Sequence, residues 1–226
     1  MRIAIIGAGI TGLAAAYDLT KSGHNVVLFE SASQVGGLAS GFKADGWAWT
    51  LERFYHHWFA SDRHVLALAD ELGCRESVFF PRPTTVMYHR GRFHALDSPL
   101  SALRFPGLGW GVRKLRFGLT TLYLRQSHDW RALEKITAAE WLTRWAGERV
   151  YRTMWEPLLL GKFGRFAPQI PMSWLWARLH ARTTRLGTFE GGFQAFLDIL
   201  ADRVRQQGGA IRLQHPVARI AASVES

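Results

Sequence analysis

Cysteine is almost absent: Cys74 is the only one in 226 residues. No disulfide can form within the chain, which fits a reducing compartment. No histidine or second cysteine lies near Cys74, so no redox role is assigned to it. The sequence also lacks any run long and apolar enough to span a bilayer. It has no run of five like charges and no nucleic-acid-binding motif, so nucleic acid is not the expected partner despite a net charge of +10. No segment repeats with a fixed period, and none is low in complexity. Met1-Arg2, the apolar residues after it and Ala14-Ala15-Ala16 mimic a signal peptide. Three glycines interrupt that stretch, and cleavage after Ala16 would destroy their spacing, so the expected location is the cytoplasm.

Apolar residues are plentiful at 48%, with 20% charged, which supports a sizeable core. Ten Trp and fourteen Phe are a heavy aromatic load, suited to a large core or to a pocket for a flat, apolar substrate. Basic residues are densest between Arg104 and Arg131, interleaved with Leu, Phe, Trp and Tyr. That pattern suits peripheral contact with the inner face of a membrane, or else a solvated basic face.

Arg2–Ile6 reads as a buried parallel strand ending in Gly7. Thr11–Ser22 carries Leu13, Ala16, Tyr17 and Leu19 at helical spacing and stops at Gly23. Asn25–Glu30 reads as the second strand, completing a βαβ unit in 30 residues. A glycine-rich stretch, Gly36 to Gly46, follows, and then a helix over Ser61–Leu72 with Ser61 as its N-cap. Thr84–Tyr88 and Arg92–His94 read as strands around a turn at His89–Gly91. From Ser98 to Arg185 the pattern is mainly helical. Thr137-Ala138-Ala139-Glu140 opens one helix as a capping box, and Pro157, Pro168 and Pro171 are expected to break the later ones. Gly191-Gly192 precedes a helix over Phe193–Gln207, and Ala210–Leu213 and Val217–Ile220 read as strands. The expected fold is α/β: a Rossmann-like dinucleotide-binding domain with a parallel sheet, interrupted by a mainly helical insertion. The expected boundaries are 1–80 and 187–226 for the first domain and 81–186 for the insertion, which carries a small hairpin.

Gly7-Ala8-Gly9-Ile10-Thr11-Gly12 is a G-x-G-x-x-G between a predicted strand and a predicted helix, the context that gives the motif its meaning. Gly7 allows the turn, Gly9 lets backbone approach a pyrophosphate, and Gly12 lets the helix pack on the sheet. The helix N-terminus offers free N–H groups and partial positive charge to phosphates. Glu30 lies 18 residues after Gly12, where a carboxylate accepts ribose hydroxyls and repels a 2′-phosphate. Ser31 follows it, and Gly36-Gly37, then Leu38-Ala39, present backbone free of bulk to an extended ligand.

The stretch from Ile3 to Ser40 resembles the two-dinucleotide-binding flavoproteins, and within them the amine oxidase, protoporphyrinogen oxidase and phytoene desaturase branch. Gly46 to His57, G-W-A-W-T-L-E-R-F-Y-H-H, is similar to a segment that approaches the flavin there. Glu190-Gly191-Gly192-Phe193 resembles the helix start at the return from the substrate domain. His215-Pro216-Val217-Ala218-Arg219-Ile220 resembles the strand whose valine backbone holds adenine. The resemblance implies FAD as the cofactor. It implies cofactor contacts at Gly7, Ala8, Gly9, Ile10, Thr11, Gly12, Glu30, Ser31, Gly36, Gly37, Leu38, Ala39 and Val217. It further implies hydride transfer from a C–N or C–C bond of a small, hydrophobic substrate to the flavin. Leu38 stands where amine oxidases often have Arg, which leans toward desaturases and protoporphyrinogen oxidases. Family members run to roughly twice this length, so the chain resembles the N-terminal half of such an enzyme, with the C-terminal half as its expected partner.

In flavin dehydrogenation the cofactor carries the chemistry and no strong acid–base constellation is needed. His56 and His57 are the candidate proton carriers. A metal site at them is disfavoured, because adjacent residues on a strand point to opposite faces and no further ligand sits at usable spacing. Arg53 and Tyr55 could line the same pocket, and Trp155-Glu156-Pro157 and Lys162-Phe163-Gly164 could contact substrate or simply pack. Three alternatives stay open: a flavoenzyme resembling UDP-galactopyranose mutase, whose acidic substrate suits the positive charge; a nucleotide-binding fragment without activity of its own; and an NAD-linked dehydrogenase.

Overall fold

A computed structural model describes residues 1–109, 111–181 and 183–221. The chain forms two compact units, one of Met1–Pro81 with Arg185–Ser226 and one of Arg82–Thr184. The last five residues of the expected 187–226 segment lie outside the described residues.

The chain enters the first unit through β1 (Arg2–Ile6), α1 (Ile10–Lys21) and β2 (Asn25–Phe29). Two short strands follow, β3 (Gly41–Phe42) and β4 (Leu51–Glu52), then α2 (Arg63–Glu71) and β5 (Val78–Phe79). The second unit opens with a hairpin, β6 (Val86–His89) and β7 (Arg92–Ala95). Its helices are α3 (Pro99–Arg104), α4 (Val112–Gln126), α5 (Trp130–Glu134), α6 (Ala138–Trp145), α7 (Glu148–Val150), α8 (Glu156–Phe163) and α9 (Met172–Ala181). The return to the first unit runs through β8 (Thr188–Phe189), α10 (Phe193–Gln206) and β9 (Ala210–Arg212).

The first unit is organised by a parallel sheet of order β1-β2-β9, with Ile3 opposite Val26 and Leu28 opposite Ile211. Parallel strands need a covering layer. Here α1 and α10 pack against each other, and Leu13, Ala16 and Tyr17 of α1 share one core with Leu197, Leu200 and Val204 of α10. The second unit has its own core, in which Leu124, Trp141, Leu142, Trp155, Leu159 and Leu175 are buried. The Thr137 capping box forms: its hydroxyl oxygen accepts the Glu140 N–H at 3.2 Å, and the Glu140 carboxylate accepts the Thr137 N–H at 3.1 Å.

Three expectations need correction. Val217–Ile220 is not a strand. The preceding links to the sheet region are the N–H groups of Gln214 to Ala32 O and of His215 to Glu30 O. Pro216 then supplies no N–H to continue a ladder. Ser61 does not cap α2, which starts at Arg63 after Asp62. A tight turn, with Arg63 N–H on Ser61 O at 2.8 Å, displaces the start, and the Asp62 carboxylate takes the Phe59 N–H instead. Pro157 does not break its helix. From Glu148 to Phe163 the chain runs on through a π-helical turn at Tyr151–Trp155, and Pro157 falls in the first turn of α8. The wide turn supplies Glu156 N–H to Tyr151 O, five residues back, so the proline replaces no interior α-helical bond.

Leu200 is fully buried in the core that α10 shares with α1 and β2. Leu200→Ala is expected to lower stability by about 2–5 kcal/mol, read as a lower midpoint at unchanged slope in urea denaturation.

Candidate functional site

The site begins where β1 ends. Gly7 takes φ +94°, a conformation that suits glycine, and its N–H bonds Phe29 O at 2.8 Å. The chain then enters α1 with Gly9 as N-cap, and the first intrahelical bond runs from Leu13 N–H to Gly9 O at 2.9 Å. The N–H groups of Ile10, Thr11 and Gly12 therefore have no partner within the helix. A Cβ on Gly12 would stand 2.0 Å from Gly7 O, which no side chain survives. A Cβ on Gly7 would meet nothing within 4 Å, so that face of the loop is open.

A second glycine step docks on the first. Gly36 donates its N–H to Ala8 O at 2.8 Å, and Gly9 and Gly36 pair as a parallel bridge. Gly37 lies so close that its Cβ would be 3.2 Å from Gly9 Cα. Glu30, just past β2, stitches both: one carboxylate oxygen accepts the Ala8 N–H at 2.7 Å, the other the Ala32 N–H at 2.9 Å and the Ser31 hydroxyl at 3.2 Å. Partial burial pulls the Glu30 carboxyl upward, but the bonds from Ala32, Ala8 and Ser31 outweigh it and hold it below the ordinary value.

The N-terminus of α10 closes the site from the other end of the sequence. The Gln194 amide is buried; its nitrogen donates to Val35 O at 3.2 Å and the Asp198 carboxylate at 2.8 Å, and its oxygen accepts the Gly41 N–H at 3.0 Å. The Glu52 carboxylate accepts the Phe193 N–H at 3.1 Å, and the Thr50 hydroxyl donates to Gly191 O at 2.8 Å.

Together these elements border a cleft of about 570 Å³. Of the residues expected to bind cofactor, Gly7, Gly9, Ile10, Thr11, Gly12, Gly36, Leu38 and Ala39 line it. Ala8 is buried beneath the loop, and Glu30, Ser31 and Gly37 support it without lining the cleft. Val217 is not among the lining residues. Both His56 and His57 line the cleft, which corrects the view that they sit on opposite faces of a strand: residues 54–57 have no strand structure. Arg53 and Tyr55 do not line it, and the Trp155 and Lys162 segments belong to the second unit, where Trp155 is core. Among the described residues no three His, Cys, Asp or Glu cluster as for a metal ion. Trp58, Val65, Phe196 and Leu197 complete an apolar wall that no pattern in the sequence singled out.

A dinucleotide fits what is present. The pyrophosphate would meet the open backbone of Gly7 and Gly9 and the free N–H groups of α1, with apolar walls beyond for a flat ring.

The sequence model described as flavin containing amine oxidoreductase matches residues 10–226. A "Probable zeta-carotene desaturase" of Synechococcus elongatus is 31% identical over 182 residues, covering 70% of this chain and 37% of that protein. A mitochondrial protoporphyrinogen oxidase of Nicotiana tabacum is 41% identical over 80 residues, 35% of this chain and 16% of that protein. The crystal structure of reduced UDP-galactopyranose mutase has a TM-score of 0.68 at 17% identity, covering 93% of this chain and 48% of that one. At that identity the likeness is one of fold alone. The chain spans half or less of the length of each of these proteins.

Gly12→Ala is expected to abolish FAD retention and lower the melting temperature, because the methyl group forces α1 off β1; unchanged retention in a dialysed sample would contradict this. Glu30→Gln tests the carboxylate. Because the folded-state pKa is lowered, its contribution is present above the unfolded value of about 4.3 and is lost as pH falls through the lower folded value. The variant should melt below the native chain at pH 7, and the gap should close as the pH is taken below about 4.

Proposed function

The chain belongs to the flavin-containing amine oxidoreductase family, and from that premise we propose that it supplies the FAD-binding part of an oxidoreductase acting on a C–N or C–C bond of a hydrophobic substrate. FAD is the cofactor, and when bound it supplies the ring that accepts hydride. The observation that carries the reading is the meeting of the Gly7–Gly12 loop, Gly36 and the His56-His57 pair around one cleft.

The roles of this chain's residues follow from that cleft. The glycine loops and the α1 N–H groups hold the pyrophosphate, and the Glu30 carboxylate takes a ribose hydroxyl. Trp58, Val65, Phe193, Phe196 and Leu197 exclude water from the apolar end. His56 Nδ1 stands 2.6 Å from Phe54 O. A carbonyl only accepts, so Nδ1 holds the hydrogen and Nε2 is left as an acceptor that can take up a proton. His57 lies between the rings of Tyr55 and Phe59, at 5.1 and 5.0 Å. In this reading Val217 backbone approaches adenine, residues 1–80 and 187–226 form the FAD-binding domain, and residues 81–186 form the substrate domain. The partner is a C-terminal half like that of the longer relatives. The protein works in the cytoplasm, against the inner face of a membrane from which an apolar substrate is drawn. Among the described residues no helix is long and apolar enough to cross that membrane.

The test is ligand-dependent melting. A ligand that binds only the native state at 100 times its Kd adds about 2.7 kcal/mol of stability, so FAD should raise the melting temperature by several degrees while NAD does not. A shift with NAD alone would replace the reading with an NAD-linked dehydrogenase. Turnover of a nucleotide sugar under reducing conditions would replace it with a mutase. The complete gene product, purified with FAD and showing no flavin absorbance, would end it.

A further inference from the structure

The outward face of α4 is apolar where a surface helix is ordinarily polar. The inward side is accounted for: Thr120 and Leu124 are buried, and Phe117 packs on the core. On the opposite side Val112, Leu115, Leu119 and Leu122 recur at three- and four-residue spacing, each 50–69% exposed. Leu100 and Leu103 of α3, similarly exposed, lie on the helix tied to α4 by a hydrogen bond from the Lys114 ammonium to Leu103 O. Leu119 and Tyr123 also share a shallow cleft of about 410 Å³ with Trp141 and the half-exposed Trp145. Contiguous apolar surface of this kind marks an interaction site.

Charge selects the occupant. Between Ser98 and Arg131 the chain carries six cations, Arg104, Arg113, Lys114, Arg116, Arg125 and Arg131, against one acid, Asp129. Helix α4 itself has no acidic residue. A second copy of this surface would bring cations against cations. An anionic bilayer offers both partners at once: acyl chains for the leucines and phosphates for Arg104, Arg113, Arg125 and Arg131, with Trp145 of the type that settles at headgroup level.

We propose that the outward face of α3 and α4 docks on an anionic lipid surface. This assigns a surface to the membrane contact suggested above and does not depend on the flavin site, so vesicle binding and FAD binding succeed or fail separately.

Sedimentation with vesicles of phosphatidylcholine, with and without phosphatidylglycerol, tests it. The chain is expected to pellet with the anionic vesicles, to stay in solution with pure phosphatidylcholine, and to be released largely by 0.5 M salt, a concentration of about the order that screens such charges. Leu115→Gln with Leu119→Gln should weaken partitioning about tenfold or more. Both residues are more than half exposed, so the melting temperature should hold. A folded chain that ignores anionic vesicles overturns the proposal. So does binding that the double variant leaves unchanged, because the lipid surface then lies elsewhere. Concentration-dependent dimers abolished by the same variant, without vesicle binding, would assign the face to a second copy and overturn it as well.

Discussion

The first unit depends on the approach of α1 to β1 at Gly12 and Gly7. A Cβ at residue 12 would sit 2.0 Å from a carbonyl oxygen, so the helix can start directly off the strand only because no side chain intervenes. That placement sends Leu13, Ala16 and Tyr17 into the core and turns the first N–H groups of the helix toward the loop. The same economy of side chains recurs at Gly36 and Gly37, which rest on Ala8 and Gly9 through backbone alone. Glu30 fastens the assembly through hydrogen bonds from Ala8, Ser31 and Ala32. The mouth of the cleft is thus shaped by main chain, whose dipoles are fixed before any ligand arrives, which is what tight recognition of a pyrophosphate requires.

The far end of the sequence is part of this construction. Gln194 holds Val35 and Gly41 on either side of the double glycine, at a separation of more than 150 residues. Gly192 lies so close to Thr50 that a Cβ would be 2.6 Å from the Thr50 carbonyl oxygen. The loop that follows β2 is therefore set by the return segment as much as by its own residues. Since β9 also completes the sheet beside β2, the helical insertion is spliced into a domain that is finished only after the chain comes back.

This split explains what the sequence made legible. The opening βαβ unit was readable because its determinants are local: an apolar strand, three glycines at fixed spacing, a helix of period 3.6 and an acid at the next strand's end. The Thr137 capping box was readable for the same reason. The chain beyond His215 was misread as a strand because alternation of apolar residues cannot say whether a neighbour is there to pair with, and Pro216 breaks the approach. Pro157 was misread because helix breaking was assumed of an α-helix, and the π-helical turn before it is a response of the backbone that composition does not encode. His56 and His57 were given opposite faces on the premise of a strand, yet the backbone there is irregular and brings both to one cleft. The apolar wall from α2 and α10 was invisible for a different reason. Val65, Phe196 and Leu197 occupy ordinary helical positions, and only tertiary packing decides which core residue also borders an opening.

The same limit governs the aromatic and basic load of the second unit. Trp141 and Trp155 went to its core, whereas Trp145 stayed half exposed, and nothing in the local pattern separates the three. Helix α4 carries apolar residues both toward the core and away from it, so its periodicity alone reports a helix with two greasy sides and no preferred outside. What distinguishes the sides is that, among the described residues, only one packs on the core. Once that is known, the cations interleaved through Arg104–Arg131 change meaning: beside a packed face they would be ordinary solvation, but beside an exposed apolar one they are the charge that the proposed lipid surface would meet. Composition supplied both ingredients of the proposed lipid-docking surface, and the fold supplied the geometry that puts apolar side chains on one exposed helix face.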